Sequence, residues 1–227
     1  MRLTRWTSIA ALTSSLLLPM SLVQAATATI PLTKIEVATD QASLQRGAMI
    51  YYNECRMCHS LKYIKYRHLL DIGFDQAFVD QLRGERLMGE RLVSLNNDKV
   101  ITALFGMVPP ELSLMAKARP HGPDYIYTLM TSYHKTEDGH YNNHLFPNIK
   151  MPDVFDISTA VDEQEKSEIS AKAKDVVAFL NWTADPRAQE RKSLGVWVIG
   201  YFVIFTALYY LLMKRVWRQV KPGLSSN

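Results

Sequence analysis

Cysteine is almost missing: the 227 residues contain two. That excludes the multi-disulfide framework of small secreted domains, and a four-thiol zinc site, which needs a second pair. Alternating apolar and polar runs are scarce, which argues against a sandwich, a barrel or a βαβ sheet. No internal repeat or long low-complexity tract occurs. Acidic residues are missing from both ends. All 22 lie within residues 26–193, against 20 of the 26 lysines and arginines, so that segment is net −2. The sequence pI of about 9.0 therefore comes from the termini and does not argue for nucleic-acid binding. The mildly acidic middle suits a basic partner.

The two cysteines stand three positions apart and run directly into a histidine: Cys55-Arg56-Met57-Cys58-His59. This is the arrangement covalent haem attachment needs, with two thiols to add across the haem vinyl groups and an imidazole beside them to reach the iron. A C-x-x-C also serves as a thiol–disulfide pair or as half of a zinc site. The first needs a strand-to-helix junction in a βαβ pattern, which the sequence does not offer. A mixed zinc site could draw on His140 and His144, but finger gaps run about 12–15 residues. Here 81 residues separate Cys58 from His140. A single c-type haem, held by Cys55, Cys58 and His59, is the expectation.

Both ends speak of a membrane. Arg2 and Arg5, an apolar stretch through Ile9, Leu12, Leu16 and Leu18, and then Val23-Gln24-Ala25 read as an export signal. Covalent haem attachment in bacteria belongs to the compartment such a signal leads to. Residues 194–213 carry no charge over 20 positions, about 30 Å as a helix, which matches the hydrocarbon thickness. Trp197, Tyr201, Tyr209, Tyr210 and Trp217 suit its interfaces. Basic residues flank both sides, so orientation follows from the export signal. The expected layout is a signal peptide (1–25), a periplasmic haem domain (26–193), one transmembrane helix (194–213) and a cytoplasmic tail (214–227) in a bacterial inner membrane.

The haem domain reads as mainly α. Asp40 predicts the start of a helix through residue 53, with Leu44, Ala48 and Tyr51 or Tyr52 on one face. Short helices are expected at 111–117 and 124–133, and a loop at 137–152. The clearest soluble helix is 163–182, with Ile169, Ala173, Val176, Val177 and Leu180 as its stripe and Glu163, Glu165 and Glu168 near its N-terminus. A haem iron has a second axial position. Met151, in the Pro-flanked segment Phe146-Pro147-Asn148-Ile149-Lys150-Met151-Pro152, is the candidate, with Met107 and Met115 competing. Propionates are anionic and want cationic or hydroxyl donors. Arg119 and Tyr125 qualify, though composition does not choose among 11 tyrosines. Asp153, Asp156, Asp162, Glu163, Glu165 and Glu168, with only Lys166 among them, form either a docking face or a solvated loop and helix start.

Taken in order, these blocks resemble the cytochrome c1 family, the haem-bearing subunit of the bc1 complex. Arg46-Gly47 and Tyr52 are similar to its lead-in helix. Cys-x-x-Cys-His-Ser with Tyr63-Ile64-Lys65-Tyr66-Arg67 is similar to its haem segment. Pro109-Pro110-Glu111-Leu112-Ser113, Lys117-Ala118-Arg119 and Asp124-Tyr125 resemble its P-P-D-L-S…A-R…D-Y block. Residues 175–182, Asp185-Pro186 and Arg191-Lys192 are similar to its final helix and the entry to its anchor. Leu104-Phe105-Gly106 departs from the family's Asn-Asn-Gly, and Pro120-His121-Gly122-Pro123 replaces a Gly-Gly turn. The resemblance implies a c-type cytochrome domain with loop insertions plus one C-terminal transmembrane helix. His59 and Met151 would be axial ligands, Arg119 and Tyr125 propionate contacts, and the Pro110 carbonyl the group that orients His59. It also implies an electron-transfer subunit, not an enzyme by itself. Its partners would be cytochrome b, a Rieske iron–sulfur protein as donor and a soluble or membrane-bound c-type cytochrome as acceptor, in a dimeric complex.

Overall fold

Helix α1 (Gln41–Ile50) begins where the Asp40 carboxylate accepts a hydrogen bond of 2.9 Å from the Ser43 amide, satisfying one of the donors a helix start leaves free. The structure, a computed structural model, describes residues 30–220. The expected signal peptide and the last residues of the tail lie outside the described residues. α1 does not run on as a regular helix to residue 53. It widens into a π-helical turn at Tyr51–Cys55, in which the Arg56 amide bonds back to the Tyr51 carbonyl at 2.9 Å. Such turns insert one residue into the ladder and often occur at functional sites. This one delivers Cys55 into the haem motif.

α1 lies against the long helix α6 (Glu163–Ala184). Gly47 sets the approach: a Cβ there would sit 2.0 Å from the Asp175 carbonyl oxygen and 2.8 Å from the Phe179 Cβ. Only a residue without a side chain permits that contact. Beside it, Arg46 donates from Nε and Nη2 to the Asp175 carboxylate at 2.6 and 2.9 Å. An exposed pair of this kind orients the helices and stabilises them by about 0–1 kcal/mol. Leu44, Ala48 and Tyr51 meet Ala173, Val176, Val177, Phe179 and Leu180 in one buried core. Each fully buried Val or Leu there contributes roughly 1.5–3 kcal/mol, so apolar burial and not the ion pair holds the two helices together.

Around this pair run β1 (Leu61–Lys65), a 3₁₀ turn (Tyr66–Ile72), α2 (Gln76–Arg83), β2 (Arg91–Leu92), α3 (Asp98–Phe105), α4 (Met115–Ala118) and α5 (Gly122–Thr131). A hairpin follows, β3 (Tyr133–Lys135) and β4 (Tyr141–Asn143), with Tyr133 opposite Asn143. β1 pairs with β2 antiparallel. The domain is mainly helical, as expected, with two short two-stranded ladders.

Two segments differ from expectation. Residues 111–114 are not helical, and α4 begins only at Met115. The Leu112 amide bonds the Ser60 carbonyl at 3.0 Å, and the Lys62 and Tyr63 amides donate to the Glu111 carboxylate (2.6 Å) and Ser113 hydroxyl (3.1 Å). Those partners hold the segment extended alongside β1. Within 137–152, read as loop, residues 141–143 form β4. The turn uses Gly139 at φ +81°, and Asp138-Gly139 is a hairpin signal the composition of the segment masked.

Helix α7 (Ala188–Val220) contains the expected span and extends beyond it at both ends. It is long and apolar enough to cross a membrane, and none of its most apolar window is buried in protein. A helix apolar all round and of this length fits a membrane span. Its entry is tied down: Asp185 pairs with Lys117 and with Arg191, each at 2.5 Å.

Candidate functional site

His59 closes the turn that α1 begins, its amide donating to the Cys55 carbonyl at 2.9 Å. Its ring is nearly buried, and Nδ1 lies 2.8 Å from the Pro110 carbonyl oxygen. A carbonyl can only accept, so Nδ1 carries the proton and Nε2 keeps its lone pair. Burial pushes the imidazole's pKa down, more than the Pro110 carbonyl pushes it up. The ring is therefore neutral with one basic nitrogen free, the state a metal ligand requires. Pro110 reaches it because residues 111–113 are stitched to β1.

His59 borders a cavity of about 400 Å³, within the ~300–1,000 Å³ range of cofactor sites. Cys58, Pro110, Arg119, Tyr125 and Met151 also line it, so six of the seven expected site residues converge here. The seventh, Cys55, sits behind His59 in the turn, against the core. Burial pushes its thiol up to about 12 and raises Cys58 as well.

Arg119 lies 4.6 Å above the Tyr125 ring, a cation–π contact that fixes both side chains. They come from α4's end and from α5, brought together by the Pro120–Pro123 turn. His121 adopts φ +54° there, and a Cβ on Gly122 would sit 2.2 Å from the Ala116 carbonyl oxygen. Lys150 adds a second cation at the cavity, one the sequence reading passed over.

Three methionines line the cavity, Met107, Met115 and Met151, so convergence alone does not separate them. Met107 is half exposed. Met151 is tethered: its carbonyl accepts from the Tyr133 hydroxyl at 3.1 Å. The segment before it hangs on Asn143, which is 1% exposed. Its Nδ2 donates to the Leu129 carbonyl at 2.8 Å, and its Oδ1 accepts from the Leu145 and Phe146 amides at 2.9 and 3.1 Å. The hairpin is thus the platform for the Met151 segment.

His140 and His144 do not approach the cysteines as a zinc set. His144 instead stacks on His134, ring centroids 3.7 Å apart, and no cluster of three or more His, Cys, Asp or Glu exists among the described residues. Several members of the acidic run have local duties. Asp162 caps α6 through the Glu165 amide (2.7 Å), Glu165 accepts from the Val161 amide (3.0 Å), and Asp153 accepts from the Ser158 amide (2.7 Å).

The apolar lining, the neutral imidazole beside paired thiols and the cationic rim fit a haem with two propionates. On a domain carried by a lipid-length helix, they define the class: a membrane-anchored c-type cytochrome. The Cytochrome C1 family model matches residues 32–91 and 90–220. Cytochrome c1 of Rhodospirillum rubrum is 32% identical over 80% of this chain and 83% of its own length. That of Allochromatium vinosum is 32% identical over 80% and 86%. A Bradyrhizobium diazoefficiens protein named cytochrome b/c1 is 29% identical over 78% of this chain and 33% of itself. The chain belongs to the cytochrome c1 family. It carries covalently attached haem c and serves electron transport as a subunit of the bc1 complex with cytochrome b, not as an enzyme by itself.

Proposed function

We propose that this subunit takes single electrons from a Rieske iron–sulfur protein and passes them to a soluble or membrane-bound c-type cytochrome, within a dimeric complex. Cys55 and Cys58 hold the cofactor through thioether links. His59 and Met151 would ligate the iron, and the Pro110 carbonyl would keep the His59 proton on Nδ1. Arg119 and Tyr125 bind the propionates. Bound haem c would supply a one-electron iron couple, and a Met thioether ligand would raise its potential. Residues 26–193 form the periplasmic domain, residues 1–25 direct its export, 194–213 anchor it, and 214–227 stay in the cytoplasm.

The observation that carries this reading is the His59–Pro110 bond of 2.8 Å at a cavity Met151 also lines. Denaturing the purified protein and extracting it with acidified organic solvent should leave the pigment on the chain. Release of all of it would remove thioether attachment. Met151→Leu should abolish the weak far-red band of Met-ligated ferric haem, while Met107→Leu and Met115→Leu retain it. A band lost with either of the latter two reassigns the ligand.

A further inference from the structure

Arg56 is one of the two residues between the haem-motif cysteines, and it is completely buried, 0% exposed. Nε donates to the Val93 carbonyl at 3.0 Å and Nη2 to the Tyr66 hydroxyl at 2.8 Å. The guanidinium lies 4.8 Å from the Tyr52 ring centre and 5.5 Å from that of Tyr66. All these partners are neutral. Nη1 is buried without a hydrogen-bond partner, and among the described residues no carboxylate lies within ion-pair distance of Arg56. The neighbouring Glu54 pairs with Lys172 at 2.7 Å through one oxygen, and its other oxygen is buried without a hydrogen-bond partner. Arginine does not deprotonate in proteins. The turn therefore encloses a permanent positive charge that no carboxylate pairs with among the described residues. Burying such a charge is costly, and two carbonyl or hydroxyl bonds with two ring faces are a thin offset. A Gln could satisfy Val93, and an apolar residue could fill the space more cheaply.

We propose that Arg56 is an electrostatic positioning residue that raises the reduction potential of the site beside it. One-electron reduction lowers the net charge of the cofactor by one, so a fixed positive neighbour favours the reduced form. The position gives it leverage: Arg56 follows directly on Cys55, and low polarity around it weakens screening. Two unit charges about 12 Å apart at an effective dielectric near 20 shift each other's equilibrium by roughly tenfold, which for a one-electron couple is about 59 mV. The inference rests on Cys55-x-x-Cys58-His59 being the attachment site, which solvent extraction tests separately.

The test is an optical redox titration of the full-length protein in detergent, on Arg56→Met, Arg56→Gln and Arg56→Lys. Methionine is included because replacing a buried ion with an apolar side chain is often neutral or stabilising. Haem content and the far-red band check that attachment and ligation are native. The midpoint potential should fall by about 59 mV in both neutral variants, a tenfold weaker reduction, and in R56K, whose buried ammonium unlike Arg can lose its proton, it should return towards wild type as the pH is lowered. The fall should persist at 1 M salt, where an exposed charge would be screened within about 3 Å. Neutral variants that keep native ligation and the wild-type potential overturn the proposal, as does a fall that vanishes in high salt. Loss of haem attachment from both neutral variants also overturns it, since the residue would then serve only to fold the turn.

Discussion

Replacing Asn143 by Ala tests whether the hairpin, and not the loop itself, holds the Met151 segment. Three hydrogen bonds vanish, leaving the Leu129 carbonyl and the Leu145 and Phe146 amides without their partner. Each net bond contributes about 0.5–1.5 kcal/mol, and a buried group left unsatisfied costs about 1–3 kcal/mol. Water will reach the amides more easily than the carbonyl, so an overall loss of roughly 2–4 kcal/mol is expected. The damage should be local. Urea unfolding followed by haem absorbance should show the drop, and the far-red band should weaken before the helical signal changes. Carbon monoxide should bind the reduced variant promptly where the native protein resists it. Asn143→Asp keeps the acceptor oxygen for both amides and loses only the donor, so its ligation should be closer to native, despite the burial cost of its charge. An Asn143→Ala protein within 0.5 kcal/mol of wild type, with its far-red band intact, would refute the reasoning.

Gly47→Ala should cost about 1–3 kcal/mol by overpacking, read as a lower urea midpoint, because its Cβ would meet the Asp175 carbonyl at 2.0 Å. A midpoint equal to wild type would mean the two helices can separate freely. The junction with the membrane helix should weaken in acid. Arg191 and Lys117 hold the Asp185 carboxyl down at about 2, below its ordinary value of about 3.9. Its stabilising contribution is therefore complete above pH ~4 and lost as the pH falls towards 2. Proteolysis near residues 185–191 in detergent should rise over that window in wild type. Asp185→Asn should be susceptible already at neutral pH and show no acid transition, and equal acid behaviour of the two proteins would disprove the link.

Sequence alone determined whatever depends on neighbours along the chain. Thioether attachment needs two thiols and an imidazole within five residues, so Cys55, Cys58 and His59 declared it. Residues 194–213 announced their anchor by length and lack of charge, and Asp40 its cap by adjacency to α1. The long helix α6 was legible because its stripe repeats over 22 residues. The tertiary structure decided what is assembled from a distance. The Pro110 carbonyl reaches His59 across 51 positions, and only then is the imidazole proton held on Nδ1 with Nε2 left open. β3 and β4 are three residues each, too short for a periodic signal, and pairing rather than propensity formed them. Three methionines reached one cavity, and spacing could not rank them, since tethering by Tyr133 and Asn143 is a property of the folded hairpin. Nothing in the sequence sets Arg56 apart from any other residue between two cysteines. Its burial comes from Tyr52, Tyr66 and Val93 closing over it, and a charge acquires its energetic meaning only once the fold has removed the water around it.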